Sequence, residues 1–222
     1  MTAVATEAPL TQRTIGEIAA TLPGATAVFR AYRLDFCCGG DAPLADAATR
    51  RGVNAAEVAE QLARLDPAAE SPHPEDTVAL IEHILNRFHE THRRELPELI
   101  RLARKVEAVH REHPQAPAGL ADALVALEAD LEQHMQKEEQ VLFPLMQQMP
   151  GRPLHRPLAV MRDEHEQQRE SLQELEAITG GFMPPAGACR SWQALYVGTA
   201  KLVGDVMEHV HLENNVLFRR FE

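Results

Sequence analysis

Residues 118–148 read AGLADALVALEADLEQHMQKEEQVLFPLMQQ, and their spacing decides the fold. Leu120, Leu124, Leu127, Leu131, His134, Glu138, Val141 and Leu145 recur at intervals of three and four, the repeat of a single helix face. His134 and Glu138 therefore stand where the pattern otherwise puts leucine or valine. Residues 188–219 repeat the arrangement with Leu195, Thr199, Leu202, Val206, His209, Glu213 and Leu217. Two His-x-x-x-Glu pairs, His134–Glu138 and His209–Glu213, are thus expected on apolar helix faces, and residues four apart on a helix share one side.

Two further helical stretches flank these. The first runs over about 75–112 and stops before Pro114, and another runs over about 155–178 and stops before Gly180-Gly181. The stretch at 118–148 ends before Pro150-Gly151. Nothing between them alternates like a strand. Four long helices with short connections predict an all-α, up-down-up-down four-helix bundle over residues 75–222. Ahead of it, residues 11–66 read as a small helical domain. Thr14 is an N-cap with Glu17 as its capping-box partner, and short helices follow over about 25–32, 44–51 and 55–65. Asp35-Phe36-Cys37-Cys38-Gly39-Gly40 lies between them, its glycine pair marking a turn. Residues 67–74, rich in proline, form the linker.

The totals narrow the function. The chain has 222 residues and a net charge of −11, with no Lys/Arg-rich run; nucleic acid is not an expected partner. No stretch of about 18 apolar residues spans a membrane, and the first residues lack the basic-then-apolar layout of a secretory signal. The 3 cysteines, two of them adjacent, do not make a disulfide scaffold. A cytoplasmic, reducing location is the expectation.

Of 11 histidines, four can meet. In an up-down-up-down bundle the start of the first helix, the end of the second, the start of the third and the end of the fourth share one end. His89, His134, His165 and His209 lie some 10–14 residues from those ends, a depth of roughly 15–21 Å at 1.5 Å per residue. A lone core histidine is usually a hydrogen-bonded residue with no ligand to hold. Four at one depth with two buried glutamates are another matter, because a carboxylate in a leucine-lined core costs several kcal/mol without a counter-charge. Four imidazoles and two carboxylates are the donor set of two metal ions, with iron the natural candidate. Thiolates are absent from these faces, which disfavours zinc-finger and iron–sulfur sites. The first helix leaves a choice open: its apolar face (Ile81, Leu85, Phe88, Leu96, Leu99, Val106) runs nearer to His92 than to His89, and a kink at Pro97 would change the phase. His73, His83, His110, His113, His155 and His211 are not expected at the site.

Several blocks resemble the repair-of-iron-centres family: Arg87-Phe88-His89-Glu90-Thr91-His92-Arg93-Arg94-Glu95-Leu96-Pro97-Glu98-Leu99-Ile100, His134-Met135-Gln136-Lys137-Glu138-Glu139-Gln140, Asp163-Glu164-His165, and Glu208-His209-Val210-His211-Leu212-Glu213-Asn214-Asn215. Asp35-Phe36-Cys37-Cys38-Gly39-Gly40 matches that family's leading domain, so the resemblance covers nearly the whole chain. Phe36 and Phe88 stand where tyrosine is common. The resemblance implies a hemerythrin-like bundle holding two non-haem iron ions, oxo- and carboxylate-bridged, with His89, His134, Glu138, His165, His209 and Glu213 as ligands. It selects His89 over His92 and makes Glu138 and Glu213 the bridges.

By the same resemblance, the expected function is repair of iron–sulfur clusters damaged by nitric oxide or oxidants, by supplying iron. Damaged iron–sulfur proteins are then the partners, and nitric oxide or oxygen the small ligands. Cys37 and Cys38 can relay iron or take up nitric oxide; their alternative is a buried structural pair. Cys189 is expected to be inert. Two other classes compete: a di-iron reductase of nitric oxide or peroxide, and a binder or sensor of oxygen or nitric oxide. A homodimer is left open.

Overall fold

A computed structural model describes residues 8–69 and 73–222; Glu70, Ser71 and Pro72 of the expected linker, and the first seven residues, lie outside the described residues. All regular structure among the described residues is helical. The chain divides into two compact units, residues 1–74 with 210–219, and residues 75–209 with 220–222. The C-terminal helical run thus contributes to both.

Among the described residues the smaller unit has four short α-helices, α1 (Ile15–Thr21), α2 (Ala25–Ala31), α3 (Leu44–Arg51) and α4 (Ala55–Ala63). Thr14 caps α1 by accepting a hydrogen bond from the Glu17 amide, as the capping-box spacing predicts. Asn54 caps α4 in the same way, through the Ala56 amide. Ile15, Ile18, Phe29, Leu34, Phe36, Leu44, Val58 and Leu62 are buried, and at about 1.5–3 kcal/mol for each large side chain they supply the driving force for this unit. Residues 210–219 pack into it. His211 is buried with its ring edge-on to Phe36, 5.4 Å between centroids. Asn215 donates from Nδ2 to the Phe36 and Cys37 carbonyls, and Asn214 to that of Cys37. A Cβ at Gly40 would lie 2.5 Å from Asn215 Oδ1, and one at Gly16 would lie 2.6 Å from it, so both glycines are what let Asn215 enter.

The larger unit is the four-helix bundle. Its first helix comprises α5 (Thr77–Ile84), a π-helical turn at Leu85–His89, and α6 (Glu90–His110). The second comprises α7 (Leu120–Lys137), a π-turn at Glu138–Leu142, and α8 (Phe143–Gln148). The third, α9, runs His155–Ile178, and the fourth, α10, runs Arg190–His211 before a π-turn at Leu212–Leu217 and a closing turn at Phe218–Phe221. Asp76 caps α5 through the Ala79 amide. The helix α7 packs between α6 and α9, and Leu80, Ile84, Leu96, Leu120, Leu124, Leu127, Leu131, Leu175, Leu195 and Val206 form the core.

The three π-turns correct the simple periodic reading. A π-turn inserts one residue into the helical ladder and shifts the face by about 100°. Val141, expected on the buried stripe, is 63% exposed, while Leu142, Phe143 and Met146 are buried in its place. The phase change in the first helix likewise comes from the turn at Leu85–His89. Pro97, the other source of a phase change that the sequence offers, lies inside α6, beyond both His89 and His92.

Candidate metal centre

Every residue expected to bind metal is buried: His89, His134, Glu138, His165, His209 and Glu213 have 0–2% of their surface exposed. Three of them belong to the π-turns. His89 ends the first, Glu138 opens the second and Glu213 is the second residue of the third. Such turns recur at functional sites because the extra residue redirects a side chain without ending the helix.

The side chains form two groups of four. His89, Glu138, His209 and Glu213 have donor atoms within 4.8 Å of one another, as do His134, Glu138, His165 and Glu213. Glu138 and Glu213 belong to both groups; Glu213 follows His209 by four residues along the same helical run. Within each group the imidazoles approach through Nε2, His89 to His209 at 3.1 Å and His134 to His165 at 3.1 Å. Two nitrogens each about 2.1 Å from one ion, at right angles, are about 3.0 Å apart, so these pairs suit adjacent ligands of a single cation. The Glu138 carboxylate lies between them, Oε2 at 3.4 Å from His89 Nε2 and Oε1 at 3.3 Å from His134 Nε2.

The outward nitrogens of two imidazoles are held by carboxylates. His89 Nδ1 is 2.8 Å from Glu139 Oε1, which also accepts from Arg93 at 2.8 Å. His134 Nδ1 is 2.8 Å from Glu164 Oε2, while Lys137 donates to Glu164 Oε1 at 2.5 Å. With Nδ1–H donating outward, Nε2 carries the lone pair and faces its neighbours, the tautomer a metal requires. The hydrogen bond from His134, outweighing the opposing effect of burial, holds the Glu164 carboxyl below its ordinary range, and Lys137 adds to this. Burial, with the nearby His89, pushes His209 well down, so that it is neutral. An uncharged His209 beside two fully buried carboxylates leaves the donor set short of positive charge, and cations fit it.

His92 is also fully buried, its ring 5.4 Å from that of His209, but it is in neither group and neither of its ring nitrogens has a hydrogen-bond partner. Burial, then His209, pushes it down to about 2. His211 points away from both groups, as its two-residue offset from His209 predicts, yet it is buried and not solvent-facing. His110 and His113 pack against Trp192, and exposed Cys189 lies 3.2 Å from His110 Nε2. The site residues that periodicity did not single out are Glu139 and Glu164. The only hint in the sequence is their position, each one residue from an expected ligand.

Residues 80–221 match the hemerythrin HHE cation binding domain, and residues 11–66 match a domain of unknown function (DUF542). The chain is 44% identical over 211 residues to the iron-sulfur cluster repair protein YtfE of Dickeya chrysanthemi, covering 94% of this chain and 96% of the relative. It is 44% identical to the protein of that name from Musicola paradisiaca (94% and 96% covered) and 45% to that from Salmonella choleraesuis (93% and 94%). None of the described helices is long and apolar enough to cross a membrane. The bundle, its cation-binding match and full-length likeness to these relatives place the chain in the family of hemerythrin-like iron–sulfur cluster repair proteins.

Proposed function

We propose that this protein repairs iron–sulfur clusters damaged by nitric oxide or oxidants, and that it does so in the cytoplasm from a site for two non-haem iron ions. The observation that carries the reading is the paired donor set, two His2Glu2 groups sharing two buried carboxylates, in a chain whose relatives are named for cluster repair along nearly their whole length. One ion would be held by His89 and His209 and the other by His134 and His165, with Glu138 and Glu213 available to both. Bound iron supplies Lewis acidity, one-electron chemistry and a position for a diatomic ligand. Glu139 and Glu164 fix the His89 and His134 tautomers, and Arg93 and Lys137 hold those carboxylates in turn. Phe88 stacks on His209, 5.4 Å between centroids and 5° between planes, and Phe143 lies against His89, so that water is excluded from these faces. Iron itself is the cargo delivered to a damaged cluster, with Cys37 and Cys38 as the place where it is passed on or where nitric oxide is taken up.

The match of residues 11–66 alongside the bundle favours repair over simple oxygen binding, since an oxygen carrier has no need of a cysteine-bearing domain. The test is reactivation of a cluster enzyme inactivated by nitric oxide. Iron-loaded protein should restore its activity, and metal-depleted protein should not. Equal recovery with both would overturn the reading.

A further inference from the structure

Outside the bundle, one other cluster of metal-ligating side chains stands among the described residues: Asp35, Cys37 and Cys38, whose donor atoms all lie within 4.8 Å of one another. Neither cysteine is in a disulfide. The two sulfurs are 3.8 Å apart. Closing them to the roughly 2.05 Å of a disulfide would strain the peptide that joins adjacent residues. The same separation suits a shared cation: two thiolates each about 2.3 Å from a tetrahedral ion are about 3.8 Å apart. Asp35 Oδ1 is 3.3 Å from Cys37 Sγ and accepts from the Cys38 amide at 3.1 Å, which turns the loop so that carboxylate and both sulfurs converge.

We propose that Asp35, Cys37 and Cys38 form a second metal site, an S2O pocket for a thiophilic divalent cation such as Fe2+ or Zn2+. It extends the iron-relay role given above to the two cysteines by naming a third donor and the class of ion, and rests on that reading only for its biological use. Binding releases the thiol protons to solvent and leaves the ion's oxidation state unchanged. Three protein donors leave a fourth position open, the mark of a site that exchanges its ion or its fourth ligand and not of a closed structural one.

The surrounding loop is built to hold this shape. A Cβ at Gly39 would lie 2.8 Å from the Asp35 carbonyl oxygen and 3.5 Å from its Oδ2, so only glycine lets the backbone pass so near. The Cys37 carbonyl is pinned by Asn214 and Asn215. Cys37 is buried and Cys38 half-buried, which gives an incoming ion or partner thiolate one approachable sulfur.

Co2+ titration of the full-length, iron-loaded protein under reducing conditions tests the site, because no ligand in the bundle is a thiolate. The expected result is one Co2+ per chain with a thiolate-to-cobalt charge-transfer band, lost in Cys37→Ser and in Cys38→Ser. In Asp35→Asn the band should persist with affinity lowered about tenfold, and all three variants should keep the bundle's iron, read from its Mössbauer signal, and wild-type helical circular dichroism. Absence of the band in the wild type, its survival in either serine variant, or undiminished affinity in Asp35→Asn would overturn the proposal. Failure of cluster repair, measured separately, would leave these optical results standing.

Discussion

Replacing Glu164 tests how the protein tunes the proposed metal ligands without replacing one. Glu164 Oε2 accepts a hydrogen bond from His134 Nδ1 at 2.8 Å, and its other oxygen is held by Lys137 at 2.5 Å. Glu164→Ala removes the acceptor that orients the ring and raises its basicity. Losses of this kind cost about 10–100-fold in metal affinity, or about 1.4–2.8 kcal/mol. The structure makes the effect selective, because His134 belongs with His165 and not with His89 and His209. In a chelator competition followed by iron per chain, one of the two proposed ions should leave 10–100-fold more readily while the other keeps its wild-type affinity. Glu164→Gln, which retains an acceptor oxygen, should fall between. Lys137→Ala should do less than either, since that side chain is 41% exposed and its ion pair is screened. Equal loss of both ions, or no loss of either, would refute the assignment of Glu164 to one ion's ligand.

Four other outcomes follow. His89→Ala should lose an iron while His92→Ala keeps both, read as iron per chain, because only His89 has donor atoms within either group. Leucine at Glu138 or Glu213 should lower bound iron yet leave a folded helical bundle by circular dichroism, since leucine is the residue those helix stripes otherwise carry. Gly40→Ala should lower stability by about 1–3 kcal/mol in denaturant unfolding, as its Cβ would meet Asn215 at 2.5 Å. For Asp205, burial raises the carboxyl pKa, but hydrogen bonds from Arg87 at 2.7 Å and Lys201 at 2.8 Å outweigh it and hold the value below ordinary. A lowered folded-state pKa gives stability that is present above the unfolded value, about 4, and is lost as pH falls through the folded one. Acid titration of Asp205→Asn should therefore show a shallower loss of stability below about pH 4 than the wild type.

The sequence carried much of this and failed where helical regularity itself gives way. Its third helix falls at His155–Ile178, and α3 at Leu44–Arg51, on the expected residues, because proline and glycine punctuate their ends. The stripe of the second helix holds through Glu138 and then breaks: a repeat of three and four cannot register a π-turn, so Val141 looked buried and Leu142 did not. The choice between His89 and His92 was obscured for the same reason, the turn at Leu85–His89 lying between the two halves of the stripe. Both histidines are buried; resemblance, and not periodicity, selects the one whose Nε2 lies 3.4 Å from Glu138. Glu139 and Glu164 escaped notice because a carboxylate beside a ligand looks like any half-exposed acidic residue until the imidazole it faces is located. Asn214 and Asn215 escaped too, their partners being backbone carbonyls some 177–179 residues away in the chain.

Iron per chain in the purified wild-type protein, taken with a Mössbauer spectrum, bears most directly on the two His2Glu2 groups. Two ions per chain, magnetically coupled through shared bridges, is the result the geometry predicts. A folded protein that takes up one ion, or two uncoupled ones, would contradict it.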